Sequence, residues 1–85
     1  MVSFKYTLKV EEGLHARPAG RFAKKAQEYA EDIIVKKGDM SSSAKRLFSV
    51  INLKARAGDE IEITVSGDNE ERVAKEMEEY CASSL

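Results

Sequence analysis

The only histidine in the chain, His15, is followed two residues later by Arg17 and then by Pro18. It stands where a pattern of alternating apolar residues ends and a pattern with helical spacing begins. The start of a helix attracts anions, because its first backbone N–H groups are unpaired and the helix dipole is positive there. A histidine nucleophile beside such donors and an arginine predicts a site that accepts and holds a phosphoryl group.

The donors of this site are two backbone amides and one guanidinium. We predict that His15 and Arg17 carry the chemistry, and that Ala16, Arg17 and Pro18 bind the phosphoryl group. A helix terminus stabilises an exposed anion by about 0.3–1 kcal/mol, so the group is held without being trapped. That weak hold suits a carrier, which must also release its group. The chain has no glycine-rich phosphate loop and no cluster with metal-ligand spacing, so neither a cofactor nor a metal is expected.

Two periodicities predict the elements that position His15. Apolar residues alternate over residues 4–10 and again over residues 61–65, which is typical of strands with one buried face. Apolar residues recur at helical spacing over residues 16–30 and predict a helix. His15 is then the N-cap of this helix or its neighbour. Pro18 lies in the first turn, where its missing N–H costs nothing.

The remaining elements are predicted from shorter signals. Residues 33–37 are β-branched and basic and predict a strand, and Gly38-Asp39 favours a two-residue type II′ hairpin loop after it. Ser43 is predicted to cap a short helix that ends near Leu53.

A last helix is predicted from a capping signal near residue 70. Asp68 followed by Glu71 resembles a capping box, in which the two side chains satisfy backbone donors of the first turn. Cys81 is predicted to be a buried residue of this helix, and as the only cysteine it cannot form an internal disulfide. Residues 82–85 are expected to fray.

These elements follow the order β-α-β-β-α-β-α and predict a single domain over residues 1–85. Four short strands and three helices fit an α+β fold in which a four-stranded antiparallel sheet is covered on one face by the helices. A ferredoxin-like arrangement has a similar element count and is the alternative.

A family resemblance rests on two segments, on the chain length and on the order of elements. The segments are Gly13-Leu14-His15-Ala16-Arg17-Pro18-Ala19 and Ser43-Ala44-Lys45-Arg46-Leu47-Phe48. The chain resembles HPr, the family of histidine-containing phosphocarriers of the bacterial phosphoenolpyruvate:sugar phosphotransferase system. The resemblance implies an open-faced β-sandwich with strand order 1-4-2-3. It also implies that the phosphoryl group resides on Nδ1 of His15 and that Arg17 assists its transfer.

The resemblance further implies the partners. A protein of this kind accepts a phosphoryl group from phosphorylated enzyme I and passes it to the enzyme IIA domains of sugar permeases. It is expected to be a cytoplasmic monomer that neither binds nucleic acid nor enters a membrane, and not a stand-alone enzyme. The expected partner-binding residues combine a basic rim with an apolar patch: Gly20, Arg21, Lys24, Leu47, Phe48 and Ile51. Leu47 and Phe48 are adjacent, so one of them is expected to be exposed.

Two residues depart from the pattern of the family. Arg46 stands where several branches of the family carry a serine that a regulatory kinase phosphorylates, so control by this kinase is not expected for this chain. Lys54 replaces a glycine that is common in the family and adds positive charge near the predicted interface.

Composition narrows the other possible functions. The chain has 14 basic and 15 acidic residues, which argues against a general nucleic-acid binder. One alternative is a regulatory HPr paralogue, for example of a nitrogen-related branch, that uses the same histidine chemistry. Another is a ferredoxin-like binding module without covalent chemistry, although balanced charge and six aromatic residues disfavour a surface that stacks bases.

Overall fold

The computed structural model describes residues 1–85. Its elements are β1 (Val2–Thr7), α1 (Ala16–Ala26), β2 (Asp32–Lys37), β3 (Met40–Ser43), α2 (Leu47–Ile51), β4 (Glu60–Ser66) and α3 (Glu70–Ser84). The strands form one sheet in the order β1-β4-β2-β3, and each neighbouring pair is antiparallel. The predicted α+β fold and its element order are confirmed, and so is the strand order that the resemblance implied.

One face of the sheet is apolar and the other is polar, as alternation along each strand requires. Ile63 of β4 pairs with Phe4 of β1 on one side and with Val35 of β2 on the other, and all three point toward the helices. On the open face, the hydroxyls of Ser3 and Thr64 lie 2.9 Å apart. The sheet therefore buries only the face on which the helices pack.

Helix α1 is fixed to this core by one side of its surface. Its buried residues are Ala19, Phe22, Ala23 and Ala26. They recur at helical spacing and confirm the predicted stripe over residues 19–26. The helical pattern over residues 16–30 is wrong at its C-terminal end, because α1 ends at Ala26 and Ala30 is exposed. Because this side is buried, the N-terminus of α1 is held at a fixed place beside the loop that follows β1.

The turn between β2 and β3 has the predicted geometry. Lys37 pairs with Met40, which leaves Gly38 and Asp39 as a two-residue loop. Gly38 has φ of 58°, whereas Asp39 is not among the residues with positive φ. A positive φ at the first position alone is the signature of a type II′ turn.

The predicted cap of the second helix is wrong. Helix α2 begins at Leu47 with Arg46 as its N-cap, and the Arg46 side chain makes no capping hydrogen bond. Ser43 is instead the last residue of β3, and its hydroxyl accepts the Lys45 N–H at 3.3 Å. Pairing of β3 with β2 keeps Ser43 in the sheet, so the helix starts later than the local signal indicated.

The predicted capping box of the last helix is also wrong in its register. Helix α3 begins at Glu70, and it is the Glu70 carboxylate that accepts the Gly67 N–H, at 3.2 Å. The Asn69 N–H donates to the carboxylate of buried Glu31, at 3.1 Å. Hydrogen bonds from the Glu31 and Asn69 backbone N–H groups hold the pKa of Glu31 below its usual range. A residue from the segment before β2 therefore caps α3, in place of Asp68 and Glu71.

The C-terminal residues pack against the fold, so the prediction that residues 82–85 fray is wrong. Helix α3 continues to Ser84, and Leu85 is 3% exposed in the core. The carbonyl oxygen of Leu85 accepts the N–H groups of Lys9 and Val10, at 2.6 and 2.8 Å. The end of α3 is thus attached to the segment that leads from β1 to His15. None of the helices is both long and apolar enough to cross a membrane.

The thiol of Cys81 on α3 is fully buried, as predicted, and burial raises its pKa to about 12. An unfolded thiol titrates near pH 8.5, so between these values the unfolded chain loses a proton that the folded chain keeps. We expect the free energy of unfolding to fall as pH rises above about 8.5, by at most about 1.4 kcal/mol per pH unit from this group. Urea unfolding measured at several pH values between 7.5 and 10.5 tests this expectation.

The matched control for that experiment is Cys81→Ala. Its free energy of unfolding should be lower at pH 7.5 because a buried sulfur is lost, but its decline above pH 8.5 should be shallower than that of the parent. Parallel curves for the two proteins would contradict the assignment. Other groups that titrate in this range are common to both proteins and cancel in the comparison.

Candidate functional site

His15 is the N-cap residue of α1, which is one of the two positions that the sequence predicts for it. Its backbone is extended, with φ of −110° and ψ of 179°, and its carbonyl accepts the Ala19 N–H at 2.8 Å. The side chain is exposed and makes no capping hydrogen bond. The backbone of His15 therefore starts the helix while its imidazole is left available for chemistry.

The first turn of α1 presents two amide donors next to this imidazole. The N–H groups of Ala16 and Arg17 have no hydrogen-bond partner, and Pro18 has no N–H. No acidic residue lies in the first turn to neutralise the helix dipole. The Arg17 guanidinium is exposed and forms no ion pair. These groups can bind a doubly charged anion through charge-assisted hydrogen bonds.

A backbone contact fixes the segment that carries His15. The Leu14 N–H donates to the Ala55 carbonyl at 2.9 Å, and Leu14 itself is buried. Gly13 has φ of 66°, and a Cβ at this position would lie 2.4 Å from the Ala55 oxygen and 2.7 Å from the Arg56 Cα. Glycine is needed here on both counts, because only glycine adopts this conformation freely and allows so close an approach.

This contact forms one wall of an open cleft of about 700 Å³ that includes His15. The lining residues are Glu11, Glu12, Leu14, His15, Ile51, Asn52, Lys54, Ala55, Arg56 and Ala57. The charged residues Glu11, Glu12 and Arg56 are not among the predicted site residues. They come from a loop and a turn that meet only in the fold, so no local pattern indicates them.

The predicted partner-binding residues lie together on a surface formed by α1 and α2, which pack against each other. Gly20 and Arg21 lie three and four residues after Arg17, and Lys24 lies three residues after Arg21, so these residues share one side of α1. Phe48 is 77% exposed and Leu47 is half-buried, which confirms that one of the two lies outside the core. Ile51 lines the His15 cleft as well, so this α1–α2 surface is continuous with it.

Gly20 has a distinct place on the α1–α2 surface. A Cβ built on Gly20 would meet nothing within 4 Å, and its φ is not positive. Nothing inside the fold therefore requires glycine at this helical position, where alanine would be more stable by about 1 kcal/mol. A glycine without an internal reason is consistent with close approach of another molecule.

Comparison with known proteins gives the family. The family model described as the PTS HPr component phosphorylation site matches residues 2–83. The chain belongs to the HPr family. The phosphocarrier protein HPr of Borreliella burgdorferi is 37% identical over 83 residues, which are 98% of this chain and 96% of that protein.

Two further HPr relatives show the range of the match. The crystal structure of HPr-C-His from Thermoanaerobacter tengcongensis superposes with a TM-score of 0.93 at 28% identity, covering 99% of this chain and 94% of that one. The HPr-like protein Crh of Bacillus subtilis is 26% identical over 80 residues, which are 94% of each chain. The relatives of this chain thus include phosphocarrier proteins named HPr and an HPr-like protein named Crh.

The two departures from the HPr pattern lie on either side of α2. Arg46 is exposed at its N-cap, next to a hollow lined by residues 40–43 and by Ser49. Lys54 follows its C-terminal turn and has φ of 55°, a conformation that costs a residue other than glycine about 1–2 kcal/mol. A glycine at this position would avoid that cost, which is a physical reason for the glycine that the family resemblance implies there.

Proposed function

We propose that this chain is a phosphocarrier of the sugar phosphotransferase system. It accepts a phosphoryl group from phosphorylated enzyme I on Nδ1 of His15 and passes it to enzyme IIA domains of sugar permeases. The observation that carries the proposal is the exposed His15 imidazole at the N-cap of α1, beside the unpaired amides of Ala16 and Arg17. Family membership supports it.

In the proposed reaction, His15 and Arg17 are the catalytic residues. The lone pair of Nδ1 attacks phosphorus while the bond to the donor breaks, and the Ala16 and Arg17 amides and the guanidinium stabilise the charge on the oxygens. Pro18 has no donor, so it contributes by fixing the first turn. Onward transfer reverses these events toward the acceptor, and for this reason a weak hold on the group is an advantage.

The proposed docking surface is the α1–α2 surface. Arg21 and Lys24 supply positive charge that favours fast encounter with acidic partners, and exposed Phe48 supplies an apolar anchor. Gly20 lets a partner approach the backbone of α1. Leu47 and Ile51 extend the apolar part toward the His15 cleft.

The test is phosphorylation of the purified protein by enzyme I with radiolabelled phosphoenolpyruvate in magnesium buffer. We expect a label that is labile in acid and stable in alkali, as a phosphohistidine is, and that transfers to enzyme IIA domains when these are added. Each enzyme I preparation is first shown to label a known HPr. Absence of label from every such enzyme would overturn the proposal.

A second candidate is a regulatory HPr paralogue that uses the same histidine chemistry to control other proteins. The similarity to Crh supports this second candidate, as do Arg46 and Lys54, the two residues that depart from the HPr pattern. The enzyme IIA panel separates the two candidates. Transfer to sugar-permease domains supports the carrier, whereas transfer confined to a nitrogen-related acceptor supports the paralogue.

The oligomeric state and the location of the carrier are part of the same proposal. It acts as a single cytoplasmic domain and as a monomer, and it has no turnover without its partner enzymes. Light scattering at the protein concentrations used for transfer tests the monomeric state.

A further inference from the structure

Lys54 is the only residue other than glycine with a positive φ, and it lines the cleft that contains His15. Residues held in a strained conformation of this kind cluster at functional sites. The Lys54 carbonyl accepts a hydrogen bond from the Lys37 ammonium at 3.0 Å, but a residue of any type would supply that carbonyl. The fold therefore gives no reason for a lysine in place of glycine at this position.

The side chain of Lys54 has no partner within the chain. Its ammonium forms neither a hydrogen bond nor an ion pair, and the residue is exposed. The guanidinium of Arg56 likewise forms neither a hydrogen bond nor an ion pair. The backbone of Arg56 forms two hydrogen bonds with Asp59, since its N–H donates to the Asp59 carboxylate at 2.9 Å and its carbonyl accepts the Asp59 N–H at 2.9 Å. Two cations on the wall of the cleft are thus free to bind an anion.

Backbone contacts hold the segment of these two cations against the segment that leads into His15. Lys54 and Arg56 flank Ala55, whose carbonyl accepts the N–H of Leu14, the residue before His15. The close packing of Gly13 against Ala55 and Arg56 holds the two segments together. Lys54, Arg56 and His15 line the same cleft, so a group on the imidazole shares this cleft with the two cations.

The other charges of the cleft make such cations useful. Glu11 and Glu12 line the same cleft, and their carboxylates repel a phosphoryl group with close to two negative charges. We propose that Lys54 and Arg56 are phosphoryl-binding residues, which oppose this repulsion and stabilise the phosphorylated form of His15. The inference rests on the proposed function, because it concerns the same phosphoryl group.

The test is a ³¹P NMR titration of the phosphorylated protein at low ionic strength. Phosphoramidate can supply the group without enzyme I: its N–P bond breaks and ammonia leaves as the N–P bond to the single histidine forms. Lys54→Asn and Arg56→Gln should each raise the second phosphoryl pKa by about 0.3–0.5 unit, the effect of one charge on the order of 7 Å away in water. Salt should diminish both shifts.

Three further variants separate charge from structure. Lys54→Arg should keep the parent pKa. Lys54→Gly should raise it as Lys54→Asn does while increasing the stability of the fold, since it removes the strained conformation. Lys75→Gln, on the exposed side of α3, should change nothing.

The outcomes distinguish this inference from the proposed function. A phosphohistidine signal whose pKa is the same in Lys54→Asn, Arg56→Gln and Lys75→Gln would overturn the inference and leave the carrier function standing. Failure of the parent to form phosphohistidine with either phosphoramidate or enzyme I would overturn both.

Discussion

Replacing His15 by alanine or asparagine is expected to abolish phosphoryl transfer and to leave the fold intact. The chain has no other histidine that could take over the reaction. The imidazole is exposed and makes no capping hydrogen bond, so its removal breaks no hydrogen bond of the folded chain. A change in stability within about 0.5 kcal/mol is therefore expected for His15→Ala.

The two His15 variants should differ in stability in a defined direction. Asparagine is among the best N-cap residues and alanine is a poor one, with a difference of about 0.5–2 kcal/mol. We expect His15→Asn to unfold at higher urea concentration than His15→Ala, although both are inactive. Urea unfolding and the radiolabelling assay with enzyme I measure the two properties on the same preparations.

These two variants also control each other. A phosphoryl label that is acid-labile on either variant would show that another side chain is the acceptor. A loss of folded structure in His15→Asn would show that the imidazole has a structural role that the present contacts do not indicate. Inactive proteins with intact unfolding transitions would assign the loss to chemistry alone.

The sequence was most informative where one buried face decides the structure. Strand β4 was predicted because its apolar residues, among them Ile61 and Val65, alternate strictly, and a shift by one residue would expose all of them. The N-terminus of α1 was predicted because the period changes directly after His15. In both cases the core imposes a pattern that local sequence must follow.

Predictions failed where the partner of a group lies far away in the chain. Glu31 caps α3 from the segment before β2, and Leu85 accepts hydrogen bonds from the segment after β1. Neither contact follows from the residues near Asp68 or near the C-terminus, for which local rules predicted a capping box and a frayed end. Tertiary contacts overrode the local preference at both places.

The same distinction applies to the candidate site. The sequence alone supplies the predictions for His15 and Arg17 and for the adjacent pair Leu47 and Phe48, because each depends only on neighbouring residues. The positive charge of Lys54 was also evident, but its strained backbone and its place in the His15 cleft were not. Those depend on how the turn after α2 packs against Gly13, a contact between residues about forty apart in the printed sequence.

A Gly13→Ala substitution is expected to lower both stability and transfer. The new Cβ would lie 2.4 Å from the Ala55 oxygen and 2.7 Å from the Arg56 Cα, and both are backbone atoms that cannot rotate away. Strain at φ of 66° adds to the steric clash. Together these effects should destabilise the fold by roughly 2–4 kcal/mol and lower Tm by on the order of 10 °C or more.

The matched control is Gly38→Ala in the β2–β3 turn. Gly38 has nearly the same φ, 58°, but a Cβ there would meet nothing within 4 Å. Its substitution therefore measures the conformational cost alone, about 1–2 kcal/mol, and leaves transfer unchanged. Thermal unfolding of the two variants isolates the clash as a difference, and equal losses of stability would contradict it.

Gly13→Ala affects transfer because the contact of residues 13–14 with Ala55 fixes the position of His15. To relieve the clash, residues 13–14 must move away from Ala55 and lose the 2.9 Å hydrogen bond of Leu14, which moves His15 relative to the amides of α1. A displacement of about 1 Å between reacting groups can cost a hundredfold in rate. We expect the folded variant to accept label at least about tenfold more slowly than Gly38→Ala, at a temperature where both are folded. Equal rates would mean that the contact stabilises the fold without positioning the nucleophile.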